Sequence, residues 1–379
     1  MATATDKPKG GLEDVVATSS AICYLDGERG VLAYCGYDIH DLAQSATFEE
    51  VCYLLWHRRL PTRAEVGDLQ SQLAAARALP EPIIRLMRSL PPVDGMDALR
   101  TLTSALAHYD AEASDVAPQA QYRKAVRLTA QAGSIVATWG RLQKGGGPIA
   151  PDPALSHAAN FLYMLTGERP NPTATRAFDI ALVLHADHEL NASTFVGRVA
   201  AATLTDIYSA VVGAIGALKG PLHGGANAEV MRMLLELGET ASGDRVDQFV
   251  RGKFARKEKI PGFGHRVYKT EDPRATHLRQ MSRELGKKAG TGWYDISQRN
   301  EALVKSEKKL NANVDFYSAS TYYTAGIPID LYTPIFAVSR MSGWTAHILE
   351  QYANNRLIRP RADYTGPEYP QRFVPLERR

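Results

Sequence analysis

His265 follows directly on the stretch Lys259-Ile-Pro261-Gly262-Phe263-Gly264 and is trailed by Arg266, Lys269 and Arg274. The proline and the two glycines predict a loop whose backbone can approach a ligand, because glycine has no side chain to obstruct it. A histidine beside fixed cations is biased toward its neutral form. Neutral imidazole still has one N–H to offer a carbonyl oxygen, while the cations suit carboxylates and phosphates. The stretch therefore reads as a site for an anionic substrate whose carbonyl must be polarised. A basic surface loop with an incidental histidine is the competing reading.

Three more stretches could serve such chemistry. His185-Ala-Asp-His188-Glu189-Leu-Asn191 sets two histidines three apart, on one face if helical. The spacing matches no zinc motif and offers no third ligand, so a substrate hydrogen-bond donor is preferred to a metal site, with a satisfied core histidine open for His185. Gly220-Pro-Leu-His223-Gly-Gly225 puts a histidine in a glycine turn ahead of a helix expected over Ala228–Leu237. The positive end of that helix opposes protonation, and a neutral imidazole there can hydrogen-bond a developing enolate. The flanking glycines suggest that something comes close. In Asn313-Val-Asp315-Phe-Tyr-Ser318 a lone carboxylate has apolar neighbours. Burial would raise its pKa into the range of a general base, although helix N-capping by Asp315 is the reading the sequence alone favours. Arg340 and Arg359 are cations among apolar residues and need an anion. Together these groups point to carbon–carbon chemistry on a small dicarboxylate.

The elements that must position them are almost all helical. Ile22–Leu25, a turn at Asp26–Gly30 and Val31–Tyr34 read as a short β-hairpin after a loose arm over residues 1–18. Phe48, Val51, Cys52, Leu54 and Leu55 repeat at helical spacing up to Pro61, where Thr62 and Glu65 form a capping box. Leu99, Leu102, Leu106 and Tyr109 form one buried stripe, and Gly145–Pro153 is a loop. Phe178–Leu184 and Leu204–Leu218 are apolar on more than one face and are offered as core or as subunit interface. Gly220-Pro221 and Gly326-Ile-Pro328 bracket a more charged block. The expected layout is a large helical domain over 1–221 and 323–379 and a small one over 222–322, with a ligand bound between them.

Composition is that of a soluble globular protein, 45% hydrophobic and 22% charged. A net charge of +3 makes no demand for nucleic acid or a membrane surface. No nucleotide loop, nucleophile triad or cofactor motif is present, so no cofactor and no metal are expected. Cys23, Cys35 and Cys52 make neither a disulfide framework nor a zinc site. With no secretory signal and no spanning apolar run, the expected location is the cytoplasm.

Taken in order, Leu184-His-Ala-Asp-His-Glu-Leu-Asn-Ala-Ser-Thr194, Gly220-Pro-Leu-His-Gly-Gly-Ala-Asn227, Pro261-Gly-Phe-Gly-His-Arg-Val-Tyr-Lys269, Asp272-Pro-Arg274, Asn313-Val-Asp-Phe-Tyr-Ser318 and Arg359-Pro360 resemble the motifs of citrate synthase. Tyr34–Asp38 and Phe48–Val51 extend the resemblance over nearly the whole chain, and the length is similar to the short dimeric bacterial and archaeal type. The resemblance implies an all-α fold with a mobile small domain. It implies condensation of acetyl-CoA, a substrate, with oxaloacetate, followed by hydrolysis of citryl-CoA. By match, Asp315 takes the methyl proton, His223 holds the thioester oxygen and His265 polarises the ketone. His188, Arg274 and Arg340 bind oxaloacetate, and Arg359 comes from the partner of a homodimer. Pro261, Gly262, Phe263 and Gly264 wrap the adenine of CoA, with Arg266, Lys269 and Lys259 near its phosphates. Lys269 stands where some relatives have arginine, which alters that contact. The close alternative is 2-methylcitrate synthase, which takes propionyl-CoA. A non-catalytic helical scaffold would have lost Asp315, His223 or His265, and all three are present.

Overall fold

Asp26 Oδ1 accepts the N–H groups of Glu28 and Arg29 and so closes the hairpin turn. The turn joins β1 (Cys23–Asp26) to β2 (Val31–Tyr34) in antiparallel register. A third strand, β3 (Tyr37–Asp38), pairs with β2. Two residues are too few to show an alternation, and the expected hairpin stops at Tyr34. The computed structural model describes residues 11, 12 and 15–379. The arm expected over 1–18 lies largely outside them, and residues 15–18 are irregular.

Sixteen α-helices follow among the described residues. The first five are α1 (Ile39–Ser45), α2 (Phe48–His57), α3 (Arg63–Ala76), α4 (Glu81–Ser89) and α5 (Gly95–Leu106). The Thr62–Glu65 capping box opens α3, and a second one, Thr47–Glu50, opens α2. Leu99, Leu102 and Leu106 are buried, but Tyr109 is not, because the chain leaves α5 through a short 3-10 turn. Next come α6 (Pro118–Gln143), α7 (His157–Thr166), α8 (Pro172–His185), α9 (Ala192–Ala201) and α10 (Ile207–Lys219). Residues 144–156 between α6 and α7 are the expected loop.

The rest of the chain builds α11 (Ala226–Leu237), α12 (Gly243–Ala255), α13 (Pro273–Ala289), α14 (Trp293–Lys308), α15 (Val314–Thr324) and α16 (Tyr332–Ala353). Helix α12 packs on α14, and both α11 and α13 pack on α15. Helix α16 runs through the centre of the remaining bundle against α2, α6, α8, α9 and α10, with Trp344 among the largest fully buried side chains. The observed class is all-α with a three-stranded N-terminal sheet. No described helix is long and apolar enough to cross a membrane.

Two apolar segments behave differently. From Ala177 to His185, α8 is buried on every side within the chain itself, Phe178 stacking on Phe161 at 4.8 Å between ring centroids. It is core and leaves no face for a partner. Leu204, by contrast, lies outside α10 in a left-handed turn and is exposed. Val212, Gly213 and Gly216 leave a strip of α10 incompletely covered, beside the exposed Val196 of α9.

Candidate active site

The loop that carries His265 is laced to the entry of α15. Gly264 N–H donates to Asn311 O at 2.9 Å, Asn313 N–H to Gly262 O at 2.9 Å, and Asn313 Nδ2 to Gly264 O at 2.8 Å. Gly262 has a left-handed φ and no free space: a Cβ there would stand 2.7 Å from Val230 and 2.9 Å from Phe316. Its bareness serves packing against α11 and α15, which corrects the expectation of open backbone for a ligand at that position. Gly264, with only Leu310 nearby at 3.8 Å, does leave room.

His265 turns its Nδ1 toward the chain, where it accepts the N–H groups of Val267 at 3.1 Å and Tyr268 at 3.2 Å. An accepting Nδ1 leaves the proton on Nε2, which faces away from these bonds. Burial, helped by Arg274, lowers the His265 pKa to about 4, so the ring is neutral at pH 7. The expected neutral state is found. Its main cause is desolvation, and the cation involved is Arg274, not Arg266 or Lys269.

His223 is arranged in the opposite sense. Its Nε2 lies 3.2 Å from the Ser193 N–H and 2.8 Å from Ser193 Oγ. A backbone N–H can only donate, so Nε2 accepts and Nδ1 holds the proton. Burial first, then Arg340, lowers the His223 pKa to about 4. What comes close to Gly224 is the chain itself, since a Cβ there would sit 2.3 Å from the Leu218 carbonyl oxygen. Ser193 Oγ also accepts the Trp344 indole N–H at 3.1 Å. Ser193→Ala is expected to lower kcat/KM about tenfold, the worth of one orienting hydrogen bond. It also leaves the buried Trp344 N–H unpaired, a cost of about 1–3 kcal/mol that a urea melt would read.

His188 lies beyond the end of α8, which stops at His185, so the two histidines do not share a helix face. His185 is a core residue, its Nδ1 bonded to Ala181 O at 2.7 Å. His188 instead faces His265, with ring centroids 5.4 Å apart, and its Nε2 meets Tyr268 Oη at 3.2 Å. Burial, then Arg274 and His265, hold it well below the usual imidazole range. No group of three or more His, Cys, Asp or Glu among the described residues is placed to hold a metal.

Two buried arginines flank these rings. Arg274, in the first turn of α13, is held by Asp272 through Nε at 2.9 Å and Nη2 at 2.8 Å, leaving Nη1 without a partner among the described residues. Burial alone would lower its pKa, but Asp272 outweighs burial and the guanidinium stays charged. Arg340, on α16, donates Nε–H to the His185 carbonyl at 2.7 Å and lies over the Phe336 ring at 4.7 Å. Burial brings its pKa down to about 10, with Asp187 opposing, so it too is cationic at pH 7. Asp187 is fixed in turn by a buried chain: Arg198 Nη1 donates to His347 Nδ1 at 3.2 Å, and His347 Nε2 reaches Asp187 at 3.2 Å. One face of α16 thus presents Arg340, Trp344 and His347 to the site.

Asp315 is not the N-cap of α15. Asn313 is, its Oδ1 accepting the Asp315 N–H at 3.0 Å. The Asp315 carboxylate makes no hydrogen bond or ion pair among the described residues, and burial raises its pKa to about 6 against the pull of Arg274. Such a carboxylate is ionised at pH 7 yet basic enough to take a proton.

A cavity of about 220 Å³ opens beside His265, lined by Gly264, Tyr268, Lys269, Lys309, Leu310 and Asn311 among others. Pro261, Gly262 and Phe263 do not line it; Phe263 packs instead on Phe316, 4.6 Å between ring centroids. Lys259 and Arg266 are exposed and do not line it. Arg359 is exposed in the irregular segment after α16 and is bonded to none of these groups. Sequence reasoning passed over Ser193, Tyr268, Asp272 and the Asp187–His347–Arg198 chain. Ser193 and Asp272 lie inside the quoted motifs, but nothing in the motifs says which ring or cation they hold.

Proton removal beside a carbonyl, with an anionic partner held by guanidinium groups, is the work of an acid–base enzyme. Comparison with known proteins gives the family. A family model described as citrate synthase, C-terminal domain, matches residues 11–361. Citrate synthase 2 of Bacillus subtilis is 56% identical, the alignment covering 97% of this chain and 98% of that one. Citrate/2-methylcitrate synthase of the same organism is 43% identical over 95% of this chain and 96% of the other. The solved ternary complex of Thermoplasma acidophilum citrate synthase with carboxymethyl coenzyme A and oxaloacetate superposes with a TM-score of 0.89 at 32% identity, covering 98% of this chain and all (100%) of that one. The chain belongs to the citrate synthase family and is an acyl-transferring enzyme of that type.

Proposed function

We propose that the chain condenses acetyl-CoA with oxaloacetate and hydrolyses the resulting citryl-CoA to citrate and CoA. The observation that carries this is the complementary protonation of its three reacting groups. Asp315 is an unpaired base, and His223 and His265 are neutral rings, each with one nitrogen occupied by backbone N–H groups and the other left as a donor. Asp315 removes a methyl proton, and His223 Nδ1–H stabilises the enolate oxygen as charge reaches it. The enol carbon attacks the ketone of oxaloacetate, whose oxygen His265 Nε2–H polarises and then protonates. Water cleaves the thioester. His188 and the free edges of Arg274 and Arg340 hold the two carboxylates.

Residues 222–322 form the smaller domain, whose closure over 1–221 and 323–379 dries the cleft. The cavity beside Lys269, with Lys309 added to it, takes the CoA side. Pro261, Gly262, Phe263 and Gly264 shape the wall toward the adenine, while Lys259 and Arg266 serve the phosphates from the surface. The reaction needs no further cofactor. The location is the cytoplasm.

The working unit is a homodimer. The strip on α10 is incompletely covered, and Leu357, Tyr364, Phe373 and Leu376 after α16 are exposed; a partner subunit would cover such apolar side chains. Arg359 belongs to that segment and reaches the partner's oxaloacetate. Sedimentation is expected to give a dimer, and Arg359→Ala to raise the KM for oxaloacetate; an active monomer would refute both.

The test of the reaction is a steady-state assay of acetyl-CoA and propionyl-CoA side by side with oxaloacetate. A higher kcat/KM for acetyl-CoA is expected. One methylene is worth only about 1–3 kcal/mol in an apolar pocket, so propionyl-CoA turns over measurably. A tenfold preference for propionyl-CoA, on the order of one such increment, would make the protein a 2-methylcitrate synthase instead.

A further inference from the structure

We infer that the turn of the N-terminal hairpin, through Gly27, is a positioning element for His265. The turn lies against the loop that follows the histidine. Lys269 N–H donates to Gly27 O at 2.9 Å. A Cβ added to Gly27 would stand 2.2 Å from the Val267 carbonyl oxygen and 2.9 Å from its carbon. Gly30 touches the same loop, where a Cβ would meet Thr270 Oγ1 at 2.5 Å. Gly27 is not among the residues of positive φ, so alanine suits its backbone, and only the neighbouring carbonyl excludes a side chain.

That carbonyl is the decisive partner. Val267 C=O and Tyr268 N–H are opposite ends of one planar peptide unit. The oxygen end rests on Gly27, and the N–H end donates to His265 Nδ1 at 3.2 Å. The unit is rigid, so displacing its oxygen turns its N–H, and the imidazole follows. Because Nδ1 is pinned by the Val267 and Tyr268 N–H groups, the direction of the Nε2–H donor is set by this peptide. Gly27 therefore acts through a peptide plane on the aim of the ring, without touching the reacting atoms. The hairpin, which the sequence presents as a small ornament on a helical protein, becomes part of the apparatus that orients the ketone's hydrogen-bond donor.

The inference rests on the role given above to His265, and the experiment separates the two. Gly27→Ala is expected to lower kcat on the order of tenfold to a hundredfold, the effect of misdirecting a donor by a fraction of an ångström to an ångström. KM for oxaloacetate should stay within about threefold, because Arg274 and Arg340 are anchored by Asp272 and the His185 carbonyl and not by the hairpin. Glu28→Ala, whose side chain is exposed in the same turn, keeps the original kcat. A folded Gly27→Ala enzyme with unchanged kcat overturns the inference, as does an equal loss in Glu28→Ala. If Gly27→Ala does not fold, hydrogen exchange of the unmodified enzyme decides: the Lys269 amide should be protected, and exchange at the rate of a free amide overturns the contact. His265→Ala assigns any failure. Retained activity there removes the role of His265 itself, whereas an inactive His265→Ala beside a fully active Gly27→Ala removes only the hairpin's part.

Discussion

Replacing Asp315 by alanine is expected to lower kcat by about 10²–10⁴, the usual contribution of a positioned general base, while calorimetry shows oxaloacetate binding intact. The separation follows from the site: Asp315 has no bond to Arg274 or Arg340, so the cations that would hold the keto acid keep their places. The same residue sets the acid limb of the rate. The base works ionised, and its pKa in the free enzyme is raised from 3.8 to about 6, so kcat/KM should fall by half near pH 6. A limb near pH 4 would mean that Asp315 is not the base. Stability carries the opposite sign. A carboxyl whose folded pKa exceeds its unfolded value adds stability only below the unfolded value, and loses it as pH rises through about 6. At neutral pH the ionised group is therefore a burden, on the order of 3 kcal/mol at most. Asp315→Asn should melt no lower than the original enzyme at pH 7.5 despite its lost activity.

Asp272→Ala is expected to do the reverse, damaging the fold first. Asp272 caps α13 by accepting the Arg274 N–H, grips the Arg274 guanidinium with both oxygens, and accepts the Val314 N–H at 3.0 Å. One buried carboxylate thus anchors the starts of α13 and α15, the helices that carry Arg274 and Asp315. Burial opposes its ionisation, but Arg274 prevails and holds it below the usual carboxylate range. Its contribution is accordingly present at neutral pH and disappears only on acidification through that lowered value. Removing it strands a buried guanidinium, a loss of about 3–5 kcal/mol, readable as a lower urea midpoint with an unchanged slope. Asp272→Asn keeps part of the geometry and should fall between. An Asp272→Ala protein as stable as the original would show that the pair is not structural.

What the sequence made legible were the groups whose type is itself informative. His188, His223, His265, Arg274, Arg340 and Asp315 stood out because imidazoles, guanidiniums and a lone acid beside glycines or apolar residues are costly to place idly. Their companions were illegible for a physical reason. Ser193 reaches His223 across 30 positions and Asp187 reaches His347 across 160, and a hydrogen bond leaves no trace in local spacing. Glycines misled for a related reason. Gly224 and Gly262 were read as room for a ligand, yet their space is taken by Leu218, Val230 and Phe316, because close approach of chain to chain asks for the same residue as close approach to substrate. The apolar segment in α8 could not be divided between core and interface until its neighbours were in place, since all-round hydrophobicity fits both.

Arg340, Trp344 and His347 stand at intervals of four and three on a single helix. Each residue added to or removed from α16 ahead of them would turn all three by about 100°. Substitutions can retune this catalyst one contact at a time, but a shift of register inside that rod would dismantle substrate clamp, serine anchor and aspartate brace together. Length variation among functional relatives should therefore collect in the loops and spare this helix.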